Sequence, residues 1–309
     1  MRKIYTIGET VLDILFKNGL PFTARPGGAC LNTAVSLGRL NLPVYFISEY
    51  GLDEVGNIIN QFLNENHVST EYVYRYYDGK SALALAFLNE NNDASYDFYK
   101  NYPKNRFEVQ FPEIKADDIV IFGSIYAVNP EVRPKLIRFI EEAKSKNAII
   151  IYDPNFRKSH LHDLPKLKPM IIDNLNYADI VRGSNEDFTF IFGTNDADET
   201  HEMLNYIPNL LYTASKKGVF LRTSTLSAKY QVNKIQPVST IGAGDSFNAG
   251  IAFSLMKQGI KRNDLDKLNE KQWRNIAETA IAFATHVCLI YDNYIEHGFA
   301  NEFVAKEEY

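Results

Sequence analysis

The stretch T-I-G-A-G-D-S-F-N-A-G at residues 240–250 sets an aspartate directly behind three small residues. Phe247, Ile251 and Leu255 recur every four positions with Ala252 and Met256 beside them, so the spacing predicts a helix over 245–257 that packs an apolar stripe inward. Gly242, Ala243 and Gly244 then stand at its N-terminus. Unpaired amide N–H groups and the helix dipole favour an anion there, and backbone without bulky side chains lets a phosphate come close. Asp245 beside such a site has two readings. It is a helix N-cap, which aspartate does well, or a general base that takes a proton from an alcohol while the amides hold the phosphoryl group under attack. The second reading is phosphoryl transfer.

Three further clusters carry usable chemistry. Gly27-Gly28 precedes a helical pattern with Leu31, Ala34, Val35 and Leu40 on one stripe and Asn32 in its first turn, while Asp13 follows the first β-rich run. A carboxylate and an amide suit a polyhydroxylated ligand; a capped turn and a solvated aspartate account for the same residues. In I-I-I-Y-D-P-N-F-R, Asp153, Asn155 and Arg157 trail a buried run, and ligands collect at the carboxyl ends of parallel strands. Arg157 reads equally as a phosphate or substrate contact and as an ion pair with Asp153 or a neighbour. In S-N-E-D, residues 184–187, Ser184 and Asn185 suit N-capping. Asp187, with Glu186 as competitor, is the candidate acid for organising Mg²⁺, which keeps several waters and needs only one or two carboxylates.

These residues need a frame. Short β-rich runs at 4–8, 44–48, 119–123, 148–152, 179–181, 210–213 and 219–222 alternate with helical patterns, as in a mainly parallel sheet covered by helices on both faces. Val55, Ile58, Ile59, Phe62 and Leu63 form one helical stripe, and Val132, Leu136, Ile140 and Ala143 another. Residues 72–103 break the rhythm, reading as strand, turn at Asp78-Gly79, strand, turn at 90–93, strand. Such an inserted meander serves as a lid, an oligomer interface, or both, or is an ordinary extra sheet. A length of 309 residues suits one large α/β domain with an insertion.

Composition excludes several classes. With 33 Lys plus Arg against 38 Asp plus Glu, the formal charge is −5, and no basic stripe tracks a phosphate backbone. No apolar run approaches the ~20 residues that span a bilayer. Glu9 and Asp13 interrupt the opening residues before a signal-peptide core accumulates. Two cysteines, Cys30 and Cys288, fit a reducing cytoplasm. The chain has no G-x-x-x-x-G-K-[ST], H-E-x-x-H, C-x-x-C or G-x-S-x-G motif.

In order along nearly the whole chain, G-G-x-x-x-N, D-P-N-F-R, S-N-E-D and T-x-G-A-G-D resemble the ribokinase-like (PfkB-type) carbohydrate kinases, with the first two nearest the fructokinase branch. The resemblance implies one three-layer α/β/α domain over 1–309 with a small β-sheet lid from about 10–25 and 72–103. It implies transfer of the γ-phosphate of ATP, with Mg²⁺, to a primary hydroxyl of fructose, of a close ketose or keto-sugar acid, or of another sugar such as ribose. It casts Asp245 as base, Gly242, Ala243 and Gly244 as anion hole, and Asp13, Gly27, Gly28, Asn32 and Arg157 as sugar contacts. Ser184, Thr213 and Thr240 fall on the nucleotide side, and Asp187 on the acid that orders Mg²⁺ through water. Ser239 replaces the aspartate that relatives place at a monovalent-cation site, which leaves a potassium requirement open, and Ser215 replaces a nucleotide-side glycine. A cytoplasmic homodimer joined through its lids is expected, with no nucleic-acid or membrane partner. A sugar sensor without catalysis is the competing reading.

Overall fold

Runs that are apolar on both faces become buried parallel strands here, because helices cover each side of the sheet. The computed structural model describes residues 2–88 and 94–307. The first half contains β1 (Ile4–Ile7), β2 (Val11–Lys17), β3 (Leu20–Gly27), α1 (Ala29–Arg39), β4 (Val44–Gly51), α2 (Glu54–Glu65), β5 (Val68–Ser69), β6 (Val73–Tyr76), β7 (Lys80–Leu88), β8 (Ala94–Asn101) and β9 (Ile119–Gly123). Then follow α3 (Arg133–Ser145), β10 (Ile149–Asp153), α4 (Leu164–Tyr177), β11 (Ile180–Ser184), α5 (Asn185–Phe192), α6 (Ala197–Met203), β12 (Asn209–Thr213), β13 (Val219–Thr223), β14 (Ser227–Tyr230), α7 (Ala243–Lys257), α8 (Glu270–Cys288) and α9 (His297–Glu307).

Ten strands form the main sheet in the order β14-β13-β12-β11-β10-β9-β1-β4-β5, with β6 also paired to β4. It is parallel except at β12–β13–β14. Alternate residues face different layers. Ile4, Phe46, Ile121 and Ile151 pack with α1, α7 and α8, whereas Tyr5, Ile47, Val120 and Tyr152 pack with α3 and α4. The stripe of Val132, Leu136, Ile140 and Ala143 is buried, as expected. In α2, Ile59 and Leu63 are buried but Ile58 stays 49% exposed, one step around the helix from the core face.

Four strands form a separate small sheet, β3-β2-β7-β8. The expected three-strand meander over 72–103 is corrected at its start. Residues 73–76 pair in parallel with β4 in the main sheet, so the bend at Asp78-Gly79 passes the chain from one sheet to the other. The turn expected at 90–93 lies outside the described residues. Asn18 and Gly19 both have positive φ, 54° and 77°, the geometry of a tight hairpin joining β2 to β3.

Helix α7 is buried on every face from Asp245 to Leu255, between α1 and α8, and carries no solvent-facing side over that stretch. Its close approach to α8 depends on Gly250, where a Cβ would fall 2.5 Å from the Ala280 Cα. Among the described residues no helix is long and apolar enough to cross a membrane. Cys30 and Cys288 are both free.

Candidate active site

Helix α7 begins two residues earlier than the apolar spacing alone indicates, with Gly242 at the N-cap and φ of 79°. A left-handed turn there suits glycine, and a Cβ would run into the Asn293 carbonyl oxygen. The Ala243 N–H reaches the Thr240 carbonyl at 3.4 Å, and Ser246 returns to the Gly242 carbonyl at 2.8 Å. Among the described residues the amides of Gly242, Gly244 and Asp245 have no protein acceptor. Ala243 and Gly244 are half-buried, so this turn is open to a ligand and not sealed in the core.

Asp245 does not cap its own helix; its side chain makes no capping bond. It is 7% exposed, and its Oδ2 accepts from Asn32 Nδ2 at 2.8 Å. Thr33 Oγ1 donates to the Asp245 carbonyl at 2.9 Å, so the first turns of α1 and α7 are fastened together. Burial pushes the Asp245 carboxyl up to about 6; the Asn32 hydrogen bond opposes this, Asp153 adds to it, and Arg157 and Arg182 oppose it. The carboxylate lines a narrow cavity with Thr33, Ser124, Asp153, Asn155 and Asn248. Ala29, Cys30 and Ser124 border both this cavity and a wider cleft of about 200 Å³ lined also by Gly8, Glu9, Val11, Asp13, Gly28 and Phe98.

The small sheet closes over that cleft. Asp13 on β2 pairs in register with Ala84 on β7, which pairs with Phe98 on β8, so all three project from the same face. Burial pushes Asp13 up to about 6, opposed by Arg25. Gly27 and Gly28 are needed for close approach: a Cβ on the first would strike Asp13 Oδ2, and Gly28, at φ 136°, lies against the Glu9 carbonyl. Asn32 is buried, and among the described residues neither its Oδ1 nor that of Asn248 has a partner, while Asn248 Nδ2 donates to Asp153 at 2.7 Å. Two non-glycine residues with positive φ lie at the cavity, Ser124 at 58° and Asn155 at 40°, and such backbone strain clusters at functional sites.

The alternative partner for Arg157 is ruled out. Asp153 pairs with Arg182, whose Nη1 lies 2.9 Å from Oδ2, and Arg157 is exposed, with no ion-pair partner among the described residues. Arg182 is 8% exposed and its Nη2 donates to Thr213 Oγ1 at 2.8 Å. It lies immediately behind the amide turn, since a Cβ on Gly244 would sit 2.5 Å from Nη1. The sequence reading missed this buried cation, together with Glu9, Ser124 and Asn248. Ser124 follows the end of β9 as Asn155 follows β10, so the rule that finds ligands at strand ends would have found it.

The nucleotide-side expectations fare unevenly. Asp187 is buried, with Oδ2 accepting from the Ser184 N–H and hydroxyl at 2.6 Å each and Oδ1 from the Phe156 N–H at 2.6 Å. It forms a capping box at the start of α5 and lines neither cavity, in keeping with the helix-capping reading of this cluster. The hydroxyls of Ser184 and Thr213 are likewise used within the protein, on Asp187 and on Arg182 and Gly183. Thr240 is exposed beside the amide turn. Ser239 accepts from the Ile241 N–H at 3.2 Å and brings no carboxylate to that turn, so it does not fit a site needing a charged ligand for a monovalent cation. Ser215 holds φ of 46°, a conformation in which glycine carries no strain.

The chain is 25% identical over 281 residues to probable fructokinase-4 of Arabidopsis thaliana, covering 86% of each chain. It is 24% identical over 279 residues to a fructokinase of Vibrio alginolyticus, covering 89% of this chain and 91% of that one. Its fold matches the fructokinase of Vibrio cholerae O395, solved with fructose, ADP and calcium, at a TM-score of 0.83 and 20% identity over 98% and 99% of the two chains. It also matches the aminoimidazole riboside kinase of Salmonella enterica at 0.81 and 18% identity, over 98% and 100%. The family model for pfkB family carbohydrate kinases matches residues 1–289, and the chain belongs to that family.

Proposed function

We propose that the protein transfers the γ-phosphate of ATP to a primary hydroxyl of fructose. The observation that carries the proposal is Asp245, a buried carboxylate on a cavity wall beside a helix turn at which the amides of Gly242, Gly244 and Asp245 lack a protein acceptor among the described residues. A sugar in the cleft meets Asp13 and Gly28 in its wall, with Gly27 packed against Asp13 and Asn32 against Asp245 behind them, and Arg157 acts on Asp245. At neutral pH Asp245 is ionised. It takes the hydroxyl proton as the sugar oxygen attacks the γ-phosphorus; the new P–O bond forms, the bond to the ADP oxygen breaks, and the amides of Gly242 and Gly244, with that of Ala243 once it leaves the Thr240 carbonyl, meet the charge on the moving phosphoryl group. A divalent ion carried by the nucleotide, Mg²⁺ in the expected case, would neutralise phosphate charge; Asp187 is committed to α5 and is not assigned to it.

The small sheet acts as the lid of this site within one domain. Its outer face carries Ile14, Phe16, Leu85, Phe87 and Tyr99, the last two 39% and 58% exposed, and the outer edges of β3 and β8 have no strand partner among the described residues. Apolar faces of this kind and free edges invite a second copy, which supports a homodimer joined through the lids. The free cysteines suit a reducing cytoplasm. An assay of ADP release with ATP, Mg²⁺ and a panel of ketoses and aldoses tests the activity, with fructose expected as the best acceptor. Tight sugar binding without ADP release on any sugar would identify a sensor instead, and a monomeric mass in solution would contradict the dimer.

A further inference from the structure

We propose that Glu9 is the specificity-determining residue that confines the acceptor to uncharged sugars; this rests on the reading of the cleft as the sugar site. The cleft of about 200 Å³ has two carboxylates in its wall, Glu9 and Asp13, and no basic side chain among its lining residues. An ammonium on the lid belongs to Lys100, two residues along β8 from the cleft-lining Phe98 and so on the same face of the strand. That ammonium is occupied. Its Nζ lies 2.7 Å from Glu9 Oε1, an oxygen that also accepts from the Tyr102 hydroxyl, while Glu9 Oε2 has no partner among the described residues.

Arg25, the register partner of Asp13 across β2 and β3, is also engaged elsewhere. Its Nη1 donates to the Tyr291 carbonyl at 3.2 Å and to the Asp292 carboxylate. These two cations of the lid strands are therefore paired with partners outside the ligand space or on its wall. The ligand meets acceptor oxygens. Hydroxyl groups donate to Glu9 Oε2 and Asp13, whereas a carboxylate on the acceptor placed against Glu9 would face two like charges. Arg157, a cation without an ion-pair partner among the described residues, acts on Asp245 and on Tyr96 of β8 and lines no part of the cleft.

The two sugars that isolate charge are D-fructose and 2-keto-D-gluconate, which is fructose with its C1 hydroxymethyl oxidised to a carboxylate. The experiment measures kcat/KM by ADP release, and Kd by calorimetry without nucleotide, for both sugars on the wild type, Glu9→Gln and Lys100→Gln. The wild type is expected to prefer fructose by about ten-fold or more. Glu9→Gln leaves the Lys100 ammonium unpaired and narrows that preference by about ten-fold, while Lys100→Gln leaves Glu9 unneutralised and widens it. A ratio of two sugars on one preparation is insensitive to partial misfolding. A preference that is unchanged in both variants, or that widens in Glu9→Gln, overturns the inference while fructose turnover stands. A wild type that neither binds nor phosphorylates either sugar overturns the sugar-site reading, and this proposal with it.

Discussion

Replacing Asp245 by asparagine is expected to stabilise the fold while it removes activity, and the gain must depend on pH. The carboxyl is 7% exposed and burial holds its folded-state pKa at about 6 against an ordinary 3.8. A proton is therefore held more tightly in the folded protein than in the unfolded chain. Stability from this group is complete below about pH 4 and is lost as pH rises through about 6, reaching a cost of about 3 kcal/mol. Asparagine cannot ionise and still offers Asn32 an acceptor. Its advantage over the wild type grows by about 1.5 kcal/mol between pH 5 and pH 8, worth roughly 2 °C in Tm for a chain of this size. Urea unfolding of both proteins at the two pH values measures it. Packing changes made by the substitution are the same at both, as is the titration of Asp13, so the growth of the gap isolates the ionisation of residue 245. A gap that is constant or shrinks with pH refutes the reasoning.

The same ionisation sets the rate. kcat/KM for fructose should rise about ten-fold per pH unit up to about 6 and then level, because the base must be deprotonated. In an Asp13→Asn background, which removes the other carboxyl near 6, Asn32→Leu should move that limb to higher pH by about 1–2 units through loss of a charge-assisted hydrogen bond; an unmoved limb contradicts the assignment. Gly244→Ala places a Cβ 2.5 Å from Arg182 Nη1 and should lower kcat by about 10²-fold, whereas Gly298→Ala, with nothing within 4 Å, should leave kcat unchanged. Gly27→Ala drives a methyl into Asp13 and should raise KM for the sugar several-fold, read from saturation curves.

Much of the frame was readable because its strands are buried on both faces. Continuous runs such as I-V-I-F-G and I-I-I-Y-D have no other economical reading, and both became central parallel strands. Arg182 escaped notice because its strand, Ile180–Ser184, continues through Arg-Gly-Ser, a polar sequence that only the Asp153 partner, 29 residues away, makes tolerable in a core. Residues 73–76 alternate like lid strands, but their pairing with β4 is a non-local choice that local pattern does not encode. The hairpin at Asn18-Gly19, in contrast, announces itself in two residues.

The candidate site divides the same way. Asp245, Gly242 and Gly244 were legible because a cluster of small residues opening a helix has few uses, and Asp13 and Asn32 because they follow a strand end and open a helix. Asp187 was not, since S-x-x-D serves a capping box and a metal-ordering acid with the same spacing; the Phe156 N–H that takes its second oxygen comes from a loop 31 residues earlier. Glu9 reads as a charge that merely interrupts an apolar run until β8 brings Lys100 and Tyr102 to it.

The most direct test of the central claim is turnover by the Asp245→Asn protein with saturating ATP, Mg²⁺ and fructose, on a sample shown to be folded. If this carboxylate deprotonates the acceptor, ADP release falls by at least about 10²-fold while fructose still binds. Turnover within a few-fold of the wild type would mean that the proton leaves by another route and that Asp245 is not the base.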